Sequence, residues 1–134
     1  MAKESGALTV IIDDSGGNAR TLSATSILTV EIATPRNVQD VTSVSQTAMD
    51  RLLTLADYSA TFTGAFNDGS NDSHAVFSTV PSSSVARTTS VAHSGQTLAV
   101  EAFFTDYSLS RGADGSLTFS APCVLTGGSL PTWS

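Results

Sequence analysis

A mainly β fold, an antiparallel sandwich or barrel with one flanking α-helix at about residues 43–57, is what the sequence predicts. Three observations carry it. Six or seven short runs rich in Val, Ile, Thr and Phe alternate between apolar and polar residues, the period-2 signature of half-buried strands. Clusters of Gly, Asp, Asn, Ser and Pro separate them, and these residues favour turns. One stretch alone, Ser43 to Asp57, repeats its apolar residues at helical spacing. With 134 residues, no internal repeat and no long linker, the chain reads as a single domain, 1–134, ending in an extended tail, 125–134.

In order, Ala7 to Ile12 is a short β-prone run, and Asp13-Asp14-Ser15-Gly16-Gly17-Asn18 is its turn. Ile27 to Ile32 alternates Leu28, Val30 and Ile32 against Ile27, Thr29 and Glu31, and Pro35 ends it because proline has no N–H for a ladder. In the helical stretch, Ser43 and Gln46 fit a capping box, and Val44, Ala48, Leu52, Leu55 and Ala56 form one stripe beside Met49 and Leu53. A helix of this length is marginal alone in water, so the stripe is expected to lie on the sheet, and Leu52→Asp is expected to abolish folding. Tyr58, Ala60, Phe62, Gly64 and Phe66 then share one face of a strand. His74 to Val80 reads equally as a helical turn or an irregular strand. Val85 to Val91 places Val85, Arg87, Thr89 and Val91 on one face, and Ser94-Gly95 is a turn. Leu98 to Tyr107 is the longest strand candidate. Asp114-Gly115 marks a hairpin whose return strand, Leu117 to Ala121, is closed by Pro122.

Composition narrows function. Six Lys and Arg against 12 Asp and Glu give a net charge of −6, and the cations are scattered, so tight nucleic-acid binding is not expected. Only 13% of residues are charged, where about 25% is usual for a soluble domain, while Ser and Thr exceed a quarter of the chain. A surface so poor in charge is suited to being covered by other subunits. One cysteine, Cys123, allows no internal disulfide and reads as a small buried apolar residue. No apolar run reaches the ~20 residues of a membrane helix, and Met1 to Gly6 lacks a signal-peptide core, so synthesis in a cytoplasm is expected.

No constellation of catalytic, cofactor-binding or metal-ligating residues stands out. Asp68-Gly69-Ser70-Asn71-Asp72 spaces its oxygens like a calcium loop, but Ser73 and Thr79 stand where that loop needs Gly and Glu, so it reads as a solvated loop. His74 and His93 with one cysteine give no zinc spacing. There is no Gly-x-Ser-x-Gly elbow and no phosphate-binding Gly-rich loop. Asn71-Asp72-Ser73 matches a glycosylation sequon that carries little weight without a leader. The chain is therefore expected not to be an enzyme.

Several stretches taken together are familiar: Asp40 to Ser43 leading into Ala48 to Asp57, then Phe62 to Asn67, Ser73 to Phe77, Phe104 to Tyr107 and the terminal Pro131-Thr132-Trp133. In order and spacing the chain resembles the major tail (tail tube) proteins of long-tailed bacteriophages, especially the small ones of phages of actinobacteria. The resemblance implies a structural virion protein, made in the host cytoplasm and located in the tail. Six copies would close into a ring, and rings would stack into a β-lined channel. The partners it implies are further copies of the chain, a tape-measure protein, tail terminator or tip proteins, and DNA in transient passage, with no membrane and no cofactor. An acidic, hydroxyl-rich lumen would let DNA slide, since no cation would hold its phosphates.

Candidate assembly segments are Asp13 to Arg20, Thr34 to Val41 and Leu125 to Ser134, long or polar stretches poorly explained as core. Within them Asp13, Asp14, Arg20, Arg36 and Trp133 are the candidate interface residues, and Glu31, Glu101 and Asp106 the candidate lumen or interface charges. A capsid decoration or head–tail joining protein is the alternative within a virion. A β-sandwich binding module is the alternative outside it, although the alternation of Tyr58, Phe62 and Phe66 assigns the aromatics to the core.

Overall fold

The computed structural model describes residues 8–22, 27–69, 72–127 and 130–134. Eleven strands run β1 (Leu8–Asp13), β2 (Ala19–Thr21), β3 (Ile27–Ala33), β4 (Arg36–Asp40), β5 (Arg51–Ala56), β6 (Ser59–Ala65), β7 (Arg87–His93), β8 (Gln96–Phe104), β9 (Ser108–Arg111), β10 (Leu117–Leu125) and β11 (Thr132–Trp133). One short helix, α1 (Ser73–Phe77), lies between β6 and β7. Nine strands form one antiparallel sheet in the order β2-β1-β7-β8-β10-β6-β3, with β9 added to β10 and β11 to β8. The sheet does not close, so the outer edges of β2 and β3 are its ends. β4 and β5 form a separate two-stranded ladder.

The expected antiparallel β architecture with one helix is present, and β1, β6, β7, β8 and the β9–β10 hairpin fall where alternation places them; in β3 Val30 and Ile32 face the core as expected, but a register shift between Ile27 and Thr29 turns Ile27 inward and leaves Leu28 exposed. Their inward residues form one core: Val10 and Ile12, Ala60 and Phe62, Val91, Leu98, Val100 and Ala102, Phe119, Ala121 and Cys123, closed by Leu22, Ile27, Tyr58, Val76 and Phe77. Phe77 is its hub, with ring centroids 5.1 Å from Phe104, 5.6 Å from Tyr107 and 5.5 Å from Phe119. These tilted pairs contribute about 0.5–1.5 kcal/mol each beyond the area they bury. The thiol of Cys123 is buried, and its pKa is pushed up to about 12 by that burial. Burial also raises the pKa of the Tyr58 hydroxyl, against which Cys123 lies.

Two expectations are corrected. The helix is not at 43–57. Residues 43–50 form a loop, 51–56 are strand β5, and the helix is the five-residue α1. Part of the capping chemistry is nevertheless present. The Ser43 N–H donates to Gln46 Oε1 at 2.5 Å, and Gln46 N–H donates to the Ser43 carbonyl at 3.1 Å. One turn forms there and is not propagated. The segment continues the β3–β6 hairpin outwards, past the edge of the core, so its apolar stripe meets no sheet face. Without that packing a helix of this length gains too little, whereas β4 supplies β5 with backbone partners through Val38–Leu53, Gln39–Leu52 and Asp40–Arg51. Leu52 is therefore about half exposed, not core.

Pro122 does not close its strand either. It pairs with Thr61 inside β10, which continues to Leu125. Its ring nitrogen faces the edge where β10 changes neighbour, from β9 up to Ser120 to β8 from Cys123. At that gap the Pro122 carbonyl accepts from Thr105 N–H at 3.1 Å, and no ladder donor is required of residue 122.

A buried arginine fastens α1 to the sheet. Arg87 is 1% exposed, on the inward face of β7 that the alternation gives it. Its guanidinium donates to the Val76 carbonyl at 2.6 Å, the Asp13 carbonyl at 3.2 Å and Thr79 Oγ1 at 3.0 Å. The cation therefore sits against the C-terminal end of α1, where the helix presents negative partial charge. Desolvation lowers its pKa, and the nearby Asp14 and Asp13 carboxylates oppose that shift.

Candidate functional site

Two surfaces are set apart from the rest: the β4–β5 arm and the outer face of the sheet beside it. The arm is tied to the body at its base. Asp57 N–H donates to the Pro35 carbonyl at 2.9 Å, and the Arg36 guanidinium donates twice to the Thr54 carbonyl, at 3.3 and 2.9 Å. Its tip is held by its own polar groups. Val41 N–H donates to the Asp50 carbonyl at 2.9 Å, Asp50 N–H to Thr42 Oγ1 at 2.7 Å, and Thr42 N–H to the Asp40 carboxylate at 2.9 Å. Hydrogen bonds from Thr42 hold the Asp40 pKa below its usual value. The arm is thus a defined hairpin, yet its large apolar side chains stay largely open to solvent. Val38, Leu52, Leu53, Leu55, Met49 and Val44 are all more than half exposed, Leu55 at 74%. By register, Val38 and Leu53 face one side together, with Leu55 two residues along on the same side.

The outer face of β3, β6, β9 and β10 is of opposite character. Thr29, Glu31 and Ala33 of β3 stand opposite Thr63, Thr61 and Ser59 of β6. Thr118 and Ser120 of β10 stand opposite Ala65 and Thr63, and beyond them lie Ser110 and Ser108 of β9. This wall is small and hydroxylated. Among these positions Glu31 carries the charge, and no Lys or Arg occurs.

The residues singled out by sequence lie at separate places. Asp14 organises the β1–β2 turn, accepting from Gly16 N–H at 2.9 Å and Asn18 N–H at 3.0 Å and pairing with Arg20 at 3.2 Å. The Asn18 bond is foremost in holding its pKa low. Asp13 gives its carbonyl to Arg87. Arg36 is at the base of the arm. Glu31 is on the hydroxyl wall, and Glu101 is on the outer face of β8, where Thr88 Oγ1 donates to its carboxylate. Asp106 is exposed and accepts from Tyr107 N–H at 2.8 Å. Trp133 is half exposed in β11, which is completed by paired 2.8 Å bonds between Ser134 and Thr97.

Of the acidic loop at 68–72, Ser70 and Asn71 lie outside the described residues, as do residues 1–7, on which the expectation about a signal peptide falls. Among the described residues no group of three His, Cys, Asp or Glu could hold a metal, and no helix is long and apolar enough to cross a membrane. Sequence reasoning named Thr34 to Val41, which holds β4, as an assembly segment but assigned the rest of the arm to a buried helix. The signal was present in Arg51-Leu52-Leu53-Thr54-Leu55-Ala56, which reads at period 2 as well as at period 3.6.

No family model and no curated protein matches the chain. Solved structures do. A subunit of the tail of an empty gene transfer agent particle, refined with C6 helical symmetry, superposes with a TM-score of 0.71 at 16% identity over 95% of both chains. The chain has the fold of tail tube subunits. The SPP1 tail tube subunit carries the same fold, with a TM-score of 0.66 at 9% identity over 92% of this chain and 77% of that one. So does a chain of the six-fold symmetrised anti-feeding prophage baseplate, at 0.67 and 9% identity over 100% and 96%. At these identities the likeness is one of fold, and side-chain roles rest on this chain's own surfaces.

Proposed function

We propose that this chain is a structural subunit of a virion tail. It assembles with copies of itself into stacked rings that form a tube, and it performs no catalysis. The observation that carries the reading is the arm. A hairpin locked by its own hydrogen bonds, but with six large apolar side chains more than half exposed, is built to be buried by another molecule. The tail-tube fold supports the choice of partner, because the similar structures are six-fold or tubular assemblies by description. A heterologous contact, one surface of a subunit against a different surface of the next, closes into rings or extends into filaments. The open edges of β2 and β3 add a second junction, since pairing them between neighbours would satisfy strand edges that are an aggregation hazard in a monomer.

In this reading the hydroxyl wall of β3, β6, β9 and β10 lines the channel. Ser and Thr hydroxyls with Glu31 offer DNA a surface without a cation to arrest its phosphates, so passage is weakly held and insensitive to sequence. Tape-measure, terminator and tip proteins are the further partners. The match to a baseplate chain favours one second reading, a single initiating ring at the end of a tube. Electron microscopy of the purified protein tests both. Tubes of indefinite length support the repeating subunit, isolated six-fold rings support the terminal ring, and a monomer at every concentration and salt removes both readings.

A further inference from the structure

We propose that the edge of β8 at Thr97–Ala99 is an acceptor site for an extended strand, and that residues 132–134 of the same chain occupy it as a guard against the strand edges of other copies. The inference rests on the self-assembly reading only in naming copies of the chain as what is kept out. On one side β8 pairs with β7 from Gln96 to Ala102. On the other side β10 covers Ala102 to Phe104, and Thr126 N–H reaches the Glu101 carbonyl at 3.2 Å. β11 takes over from there. Thr132 stands opposite Ala99 and Trp133 opposite Leu98, and Thr97 and Ser134 exchange two main-chain bonds of 2.8 Å. Between Glu101 and Ala99 β8 advances by two residues, while the facing chain advances from Thr126 to Thr132. β11 is therefore not the next rung of the β10 ladder. It is a separate piece fitted to the edge that β10 leaves.

The edge it covers differs from every other edge among the described residues. Gln96-Thr97-Leu98-Ala99-Val100 carries no charge, no Gly and no Pro, and Leu98 and Val100 are buried beneath it. Left bare, such a run is a template for pairing with another chain. The remaining edge strands carry their own deterrents. β2 has Arg20, β3 has Glu31 and β9 has Arg111. In the arm, β4 has Arg36 and Asp40, and β5 has Arg51. β11 itself has two residues and follows Pro131, which has no N–H for a ladder. The uncharged edge is thus the one that is covered. Its cover adds little to the core, since Thr132, Trp133 and Ser134 are all exposed, so what β11 contributes is its backbone pairing.

The test removes the guard and then puts a charge in its place. T132P with S134P in the full chain takes away the β11 N–H donors that face β8. Amide exchange at Thr97 and Ala99 is expected to speed about tenfold. The protein is expected to form irregular, thioflavin-binding aggregates in place of tubes. T97K added to the two prolines charges the bared edge and is expected to abolish those aggregates. Unchanged exchange, faster exchange without aggregates, or aggregates that T97K leaves untouched would each overturn the guard. A locked chain tests the same point without prolines. T97C with S134C, bridged within one chain by a short bismaleimide, is expected to form tubes as the wild type does. Cys123 does not react because its thiol is buried. Loss of tubes in the bridged chain would overturn the guard, because β11 would have to leave β8 for assembly. Wild-type protein that never forms tubes would remove the tube reading alone, since exchange and aggregation are read without tubes.

Discussion

The β4–β5 arm and the segment around α1 are both excursions between strands of the sheet, and they differ in what meets them. The α1 segment places Val76 and Phe77 in the core, sets Phe77 against three rings and hands two of its oxygen acceptors to the buried Arg87. The arm has more large apolar side chains, and they stay more than half exposed. Its order comes from backbone pairing and from the polar contacts of Arg36, Thr42 and Asp50. An apolar residue therefore stabilises the monomer only where the fold supplies an opposing surface. In the proposed assembly the same residue type elsewhere is left for a neighbouring subunit to cover. Substitutions in α1 should accordingly act on folding, and substitutions in the arm on assembly.

The largest effect is expected at Phe77. Phe77→Ala removes the hub of the aromatic cluster at a fully buried site and should cost about 3–5 kcal/mol, measured by urea unfolding of the monomer. A loss below about 1 kcal/mol would break the contrast from the folded side. Next is Arg87→Ala, which strips three acceptors of their donor and should cost about 1–3 kcal/mol. The same variant should speed hydrogen exchange in residues 73–80 before the rest of the sheet, because the cation is what fastens that segment.

A third effect tests the core by pH. The Cys123 thiol has its folded pKa raised from 9.0 to about 12, and an unfolded chain ionises it first. The folded state then holds more protons between those values. Stability is intact below pH 9 and falls as pH rises towards 12, by about 1.4 kcal/mol per unit for each such proton. The Tyr58 hydroxyl, also raised by burial, steepens the loss at the upper end. C123A combined with Y58F should flatten the alkaline limb whatever it does to the absolute stability. An unchanged slope would place the titration elsewhere.

How much of this was legible in the sequence follows the same division. Strands whose alternation faced the core, such as Tyr58 to Phe66, were readable because burial and period agree there. Arg87 too was on the correct face, though nothing in its neighbours announced the acceptors that Val76 and Thr79 bring from α1. The segment 43–57 misled because both patterns fit it, and the decision lay outside the segment, in whether a sheet face stood opposite. Ser43 and Gln46 made their local contact either way, so a cap motif marks a turn without guaranteeing the helix that follows. Of the surfaces proposed for assembly, Arg36, Glu31 and Glu101 were named from polarity and spacing. The apolar half was assigned to a core, because the arm's solvent exposure is a property of the fold alone.

The smallest expected effect on the monomer is the most decisive for the contrast. Leu52→Asp places a charge where the helical reading put the core, and a buried unpaired carboxylate there would unfold the domain. On the arm, Leu52 is 54% exposed, opposite Gln39 and away from the sheet, so the carboxylate stays hydrated. The monomer should change by less than about 0.5 kcal/mol, as surface substitutions do. Leu53→Asp, on the face shared with Val38 and Leu55, should be equally silent in the monomer and should abolish tubes, because it puts a charge on the apolar face that the proposed assembly buries. Equal unfolding midpoints for wild type, Leu52→Asp and Leu53→Asp, with tubes lost in the last, would place the arm's apolar face between subunits. A Leu52→Asp chain that fails to fold would return that residue to a core and remove the arm.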